Sequence, residues 1–371
     1  MNLELHVIQN VAPANLNRDD TGAPKDVVFG GHRRARVSSQ AWKSAVRRSF
    51  ATSFSDDELA WRTKRLADEV ADRLETAGKD REVALRVAKA VLAAGGASLE
   101  ENGRTKVLWL VARRAIETLT KLCDEHWATL SAEEALSHAD AKRLKEALTT
   151  DVVGAKAVDI ALFGRMLTDA PEGGRVDAAA QVAHALSTHA VDTEFDYFTA
   201  VDDLSGEEPG AGMLGTIEFN SACFYRYACL DARQLVENLD GDLELARRAA
   251  RSFATSFVTV MPTGKQNTFA AHNPPAAAVF VARSAGSWNL ANAFVDPVWA
   301  RRDTDLVRGS CERLADHWAE LVAMYGNPSN TLGVAALPSL AECFTTFEGA
   351  VRGSLDNVAS SAVDALFPTE S

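Results

Sequence analysis

Residues 25–48 read KDVVFGGHRRARVSSQAWKSAVRR, and the rest of the chain is organised around them. The apolar run Val27-Val28-Phe29 ends at Gly30-Gly31, which closes a strand or loop. Ser38 and Ser39 offer capping hydroxyls for a helix beginning near Gln40. Trp42, Ala45, Val46, Ser49 and Phe50 fall at i, i+3, i+4, i+7 and i+8, the spacing of a buried stripe. No Asp or Glu occurs from Val27 to Ser55, whereas Arg33, Arg34, Arg36, Lys43, Arg47 and Arg48 do. The whole chain carries −12, so setting these six cations aside leaves −18 on the remainder.

Such a basic island on an acidic protein fits a polyanion held at one place rather than attracted everywhere. Lys43 and Arg47 stand four apart, as do Ser44 and Arg48. Like charges at that spacing cost a helix roughly 0.2–0.5 kcal/mol per pair, a penalty that changes sign if a phosphate bridges them. The free N–H groups of the helix start, preceded by three arginines, also suit phosphate. The competing reading is a solvated basic face.

At 371 residues the chain has room for one large core with insertions or for two to three domains. Its 47% hydrophobic and 24% charged residues are those of an ordinary soluble protein. Cys123, Cys223, Cys229, Cys311 and Cys343 form no CxxC pair, and their odd number fits a reduced cytoplasm. MNLELHVIQN lacks the regions of a signal peptide, and no apolar run approaches the ~18 residues of a membrane span. A cytoplasmic protein without a membrane partner is expected.

Residues 2–11 alternate as a strand, followed by a turn-rich loop from Pro13 to Pro24. Asn15, Asn17, Asp19 and Asp26 have part of an EF-hand spacing, but Asp20 stands where Gly is required and Asp26 where Glu is. The loop reads better as one whose acids cap a turn and orient Arg18. From Ser55 to about Leu167 the chain turns helical, with predicted helices over 56–75, 82–94, 113–129 and 132–148, the last opening on the capping box Ser131-Ala-Glu-Glu134. Phe163 and Met166 close that region, most simply as core residues. Val176–Thr188 reads as a further helix carrying His184; His184 and His189 are five apart and would not share a helix face, so no metal site is expected.

The segment 194–230 reads as a long β excursion with an acidic, Gly-rich tip. Gly210, Gly212 and Gly215 match G-x-G-x-x-G, but no strand precedes them and no helix follows, so dinucleotide binding is rejected. Asp202-Asp203 lacks a third metal ligand by spacing. Phe224-Tyr225-Arg226-Tyr227 has the composition of a base-stacking strand, although core aromatics are the commoner case. Gly264-Lys265-Gln266-Asn267-Thr268 is a polar loop with donors for a phosphate backbone. Further predicted elements are a helix over 243–258, a strand over 277–282 and two C-terminal helices, near 305–324 and 339–351. Strands and helices alternating outside 55–170 indicate an α+β fold.

LNRDD (16–20), KDVVFGG (25–31), RRARVSSQAWKSAVRRS (33–49), DIALFGRM (159–166), FDYFTAVDDL (195–204), LGTIEFNSACFYRYA (214–228) and GKQNTFAAHNP (264–274) together resemble the CasC family. These are backbone subunits of type I-E CRISPR Cascade surveillance complexes. The resemblance implies a hand-shaped subunit. Its palm is RNA-recognition-motif-like (ferredoxin-like), with a helical fingers insertion and a β-hairpin thumb. On this division residues 1–55 begin the palm, 56–170 are fingers, 171–193 return to the palm, 194–216 form the thumb, and 217–371 complete the palm with the C-terminal helices. The implied partners are CRISPR RNA, a target DNA strand paired with the guide, further copies of the chain stacked as a helical filament, and other Cascade subunits.

Carried over by position, Arg18, Lys25, Ser38, Gln40, Lys43 and Arg47 would hold the RNA backbone, and Phe163 and Met166 would abut bases. Tyr197, Phe198, Thr199 and Leu214 would form the thumb wedge that displaces a nucleotide. Lys265 joins the RNA-binding set from its polar loop. No catalytic residue, cofactor or metal is expected. Two other classes stay open: a metal-dependent RNA endonuclease subunit of a related CRISPR effector, and a helical scaffold that binds only proteins.

Overall fold

A computed structural model describes residues 1–166, 174–201, 211–327 and 329–367. Asp202, Asp203, Gly210 and the hairpin tip lie outside the described residues. The chain divides into two compact units, one of residues 1–49, 181–232 and 250–371, the other of residues 50–180 and 233–249.

The first unit is built on a sheet. Its strands are β1 (Asn2–Ala14), β2 (Asp26–Phe29), β3 (His32–Val37), β4 (Ala185–Ser187), β5 (Glu194–Val201), β6 (Ala211–Asp231), β7 (Ala277–Arg283), β8 (Ser329–Ala336) and β9 (Val351–Arg352). The order is β9-β8-β7-β1-β6-β4-β3-β2, with β5 paired to β6 beside this path. Only β8 and β9 run parallel within that order. Helices α1 (Ser39–Ser49), α2 (Leu306–Tyr325) and α3 (Leu355–Leu366) belong to the same unit.

β1 is central, and both its faces are covered. The alternation in its sequence would leave Glu4 and His6 at the surface, yet they are 0% and 1% exposed. Burying such groups requires partners. The Glu4 carboxylate accepts from Arg283 at 2.8 Å and from the Trp288 backbone N–H, and His6 Nδ1 lies 2.9 Å from the Tyr225 hydroxyl. One apolar cluster joins Ile8, Val279 and Tyr225 to Trp318 of α2, and another joins Val11, Val37 and Phe224 to Trp42 of α1. Phe224, Tyr225, Arg226 and Tyr227 are all buried, so the aromatic run of β6 offers no open face to bases.

Two predicted helices give way. Residues 176–188 hold the short strand Ala180–Val182 and then β4, because Leu186 and Ser187 pair with Tyr225 and Phe224. Residues 339–351 hold a 3-10 turn, Pro338–Phe344, and then β9. The helix expected there starts later as α3, capped by Ser354, whose hydroxyl accepts from Asn357 N–H.

The second unit is mainly helical, over 66–76, 81–94, 114–125, 127–131, 138–147 and 158–163. A two-stranded ladder of Ala60–Thr63 and Trp109–Ala112 replaces part of the first expected helix. The buried Asp159 carboxylate accepts the Ala60 N–H at 2.9 Å, which holds that ladder in place. The capping box at Ser131 is not used: Ser137 caps the next helix instead, accepting from Asp140 N–H at 3.1 Å. Val70, Leu74, Val87, Val91, Ile116 and Leu119 meet in its core.

Candidate nucleic-acid interface

The loop between β1 and β2 folds on its own polar side chains. Asn15 is 1% exposed and donates to the carbonyls of Gly22 and Glu218, each at 2.9 Å. The Asp19 carboxylate accepts from the Thr21 hydroxyl (2.7 Å), the Thr21 N–H (2.9 Å) and the Ala23 N–H (3.0 Å). Those bonds, the Thr21 hydroxyl first, hold it below its ordinary pKa. Asp19 thus caps the turn but does not orient Arg18, which makes no ion pair among the described residues. Also among these, no group of three or more His, Cys, Asp or Glu side chains could hold a metal ion.

Asn17 is the hub of this corner. Its carbonyl accepts the Lys25 N–H at 2.9 Å, and its side-chain oxygen accepts the Ser38 N–H at 2.8 Å. One residue therefore fixes Arg18, Lys25 and the start of α1 relative to each other. Ser38 is itself buried, its hydroxyl accepting from Ala41 N–H at 3.3 Å. Gln40 is exposed on the first turn.

Along α1, Trp42, Ala45 and Val46 are buried as the spacing predicts. Lys43 is half-buried, and desolvation pulls its ammonium below the ordinary pKa. Among the described residues no carboxylate pairs with it. At the far end of α1, Arg48 donates to the Thr263 hydroxyl at 3.3 Å. Gly264 comes next, so close to the Leu16 carbonyl that a Cβ would collide with it. Lys265 follows in the left-handed region, at φ 53°. Residues 16–22 and Gly264 line a recess of about 540 Å³. Arg18, Lys25, Ser38 and Lys265 are thereby tied to one corner, with Lys43 and Arg47 on the helix leading from it.

The six cations of the island do not act alike. Arg34 is fully buried and donates to the carbonyls of Ser187 (3.3 Å), Phe294 (2.8 Å) and Val295 (3.0 Å), so it is part of the core. Arg33 pairs with Asp26 at 3.1 Å. The charge free to meet an anion is smaller than the sequence count.

Phe163 and Met166 belong to the second unit. The Phe163 ring stacks on Phe50 at 5.9 Å and 8°, while Met166 is 75% exposed. Between them Arg165 is buried and donates to the carbonyls of Gly174, Leu110 and Val153. Burial brings its pKa down to about 10.

In the β5–β6 hairpin, Phe198 pairs with Gly215 and its ring lies over that glycine. Tyr197 pairs with Thr216 and is 71% exposed. Adjacent strand residues point to opposite faces, so Tyr197 and Phe198 do not share one. Thr199 pairs with Leu214, and the side chains of both lie outside the described ones.

Two residues of this corner escaped the sequence reading as functional groups. Asn17 was legible only as part of a turn-rich loop with an incomplete EF-hand spacing. His184, read as a helix residue, accepts the Ser39 N–H at Nδ1, 3.1 Å away. Nothing local in the sequence links residue 184 to residue 39.

The chain belongs to the CT1975-like protein family, whose model matches residues 3–360. Among solved structures it is similar to a chain of a "CRISPR RNA-guided surveillance complex, pre-nicking", with 32% identity, a TM-score of 0.86, and 98% of this chain and 100% of that chain covered. A chain of another "CRISPR RNA-guided surveillance complex" is 27% identical, with a TM-score of 0.76 and the same coverage. No curated protein matches the chain. Sequence and fold together make it a relative of the chains of such complexes.

Proposed function

We propose that the chain is an RNA-binding backbone subunit of a Cascade complex of type I-E, several copies of which line one guide RNA. The observation that carries this reading is the corner around Asn17. There Arg18, Lys25 and Lys43 have no carboxylate partner among the described residues, on a chain whose net charge is −12. Lys25 and Lys43 are half-buried, and half-buried cations without counterions are costly unless an anion arrives, while Arg18 stands exposed beside them. A phosphodiester chain supplies one at regular intervals.

A ferredoxin-like palm is supported by the chain order β1, α1, β4, β6, helix Leu243–Thr259, β7. Its sheet order is β7-β1-β6-β4, antiparallel throughout. That is the β-α-β-β-α-β arrangement. Its sheet aromatics are buried, so the RNA in this reading runs along the loop 15–25, α1 and the loop after Thr263, and leaves the bases free to pair with target DNA. The chain holds the RNA and does not cut it.

The test is to purify the chain with its neighbouring subunits and examine the nucleic acid that accompanies it. RNA of uniform length that stays intact in magnesium is expected. Its loss is expected when Lys25 and Lys43 are both changed to Glu. Complexes that assemble without RNA would favour a protein-only scaffold, and magnesium-dependent cleavage would favour an endonuclease.

A further inference from the structure

His184 sits where three elements of the first unit meet. Its Nδ1 accepts the Ser39 N–H of α1 at 3.1 Å and faces Arg36 Nη1 of β3 at 3.4 Å. Two donors converge on one ring nitrogen, so that nitrogen must carry the lone pair. The proton of the neutral ring then resides on Nε2. The residue is exposed, and among the described residues nothing accepts that Nε2–H.

The charged groups acting on the imidazole are Arg36, from β3, and Lys25, which precedes β2. Burial first, and then these two cations, hold it below its ordinary pKa, which keeps it neutral at physiological pH. Neither cation has a carboxylate partner among the described residues. Arg36 gives its Nε–H to the Asp26 carbonyl at 3.3 Å, and the Lys25 backbone is held by Asn17.

We infer that His184 is a further RNA-backbone contact, whose neutral imidazole gives its Nε2–H to a phosphate oxygen beside Lys25 and Arg36. The inference rests on the RNA-binding reading above and adds to it a ligand that is not a cation. The Ser39 N–H sets the tautomer, so the helix that carries Lys43 also aims this donor. Imidazolium could not accept the Ser39 N–H, so the contact belongs to the neutral ring.

The experiment measures binding of a labelled single-stranded RNA to the full chain at about pH 8, where the ring is neutral, over a range of salt. His184→Ala is expected to weaken binding about tenfold, the size of a hydrogen bond to a charged group, and to leave the salt slope unchanged. Lys43→Ala should lower that slope by about 0.7, the share of one phosphate contact on a single strand. His184→Gln can accept from Ser39 and donate from its amide, and should stay within about threefold of the parent. In the parent, ¹⁵N-histidine spectra should show an unprotonated Nδ1 at residue 184 and an Nε2 signal that moves when RNA is added. Parent-like binding by His184→Ala, or a Gln variant as weak as Ala, would reduce the residue to a support for α1. A slope lowered by His184→Ala would mean a cationic contact and overturn the neutral one. A parent chain that binds no RNA would instead remove the functional reading on which this inference rests.

Discussion

The guanidinium of Arg226, on β6, lies 3.6 Å from the ring centroid of Trp42 in α1. It also lies 4.8 Å from the ring centroid of Phe257. Nη1 donates to Gln9 Oε1 at 2.5 Å, and the fork also reaches the carbonyls of Phe257 and Val258. Arg226 is 1% exposed, and desolvation brings its pKa down to about 9. A buried cation with no carboxylate partner among the described residues is held by carbonyl dipoles and two aromatic rings. It sets α1, and with it Lys43, against the sheet.

Replacing Arg226 with Met keeps the stem but strands the carbonyls and Gln9. A loss of about 2–4 kcal/mol is expected, since each stranded polar group costs about 1–3 kcal/mol. Arg226→Lys should not rescue it, because an ammonium lacks both the fork and the flat stacking surface. Thermal unfolding of the two variants, with a midpoint several degrees below the parent in each, is the check.

Gly30 turns the β2–β3 hairpin at φ 60°, and a Cβ there would strike the Val295 carbonyl, which also accepts from Arg34. Gly30→Ala is therefore expected to destabilise by more than the roughly 1 kcal/mol of backbone strain alone. Gly31→Ala, with open space around it, should cost only the strain. Comparing the two by chemical denaturation separates collision from conformation.

In the second unit, Glu58 accepts from Arg248 at 2.8 Å and 3.3 Å. That pairing, opposed by burial, holds the carboxylate below its ordinary pKa. A depressed carboxylate stabilises the fold above its unfolded pKa, and the contribution fades as pH falls through the folded value. Glu58→Gln should lower stability near neutral pH by about 1 kcal/mol or less, since Arg248 is partly exposed. It should make no difference in strong acid. Denaturation midpoints measured along an acid series would show whether the two curves converge.

Tyr197 and Phe198 should separate in function. Phe198→Ala uncovers Gly215 and is expected to speed hydrogen exchange along the β5–β6 hairpin. Tyr197→Ala should leave exchange unchanged and, if the exposed ring parts neighbouring bases, blur the periodic protection of bound RNA from nuclease. Unchanged, sharp protection in Tyr197→Ala would remove that ring from the wedge.

Patterns shorter than one helix or strand were legible without a structure. The stripe Trp42-Ala45-Val46, the stop at Gly30-Gly31, the first strand and the helical character of 56–150 all follow from local periodicity and turn chemistry. So did the concentration of cations on one segment, because charge is counted along the chain.

What each cation does was a tertiary decision. Arg33, Arg34 and Arg36 are neighbours in sequence, yet one pairs with Asp26, one is buried among the carbonyls of residues 187, 294 and 295, and one faces His184. The period-two geometry of β3 and the partners brought by distant segments separate them. Residues 176–188 likewise have helical spacing, but backbone N–H and C=O groups beside β6 and β3 find ladder partners there. Local propensity is worth tenths of a kcal/mol per residue, and the sheet's ladder and burial outweigh it. Asn17 and His184 became functional candidates only when residues 25, 38 and 39 were folded onto them, a relation that no sequence spacing encodes.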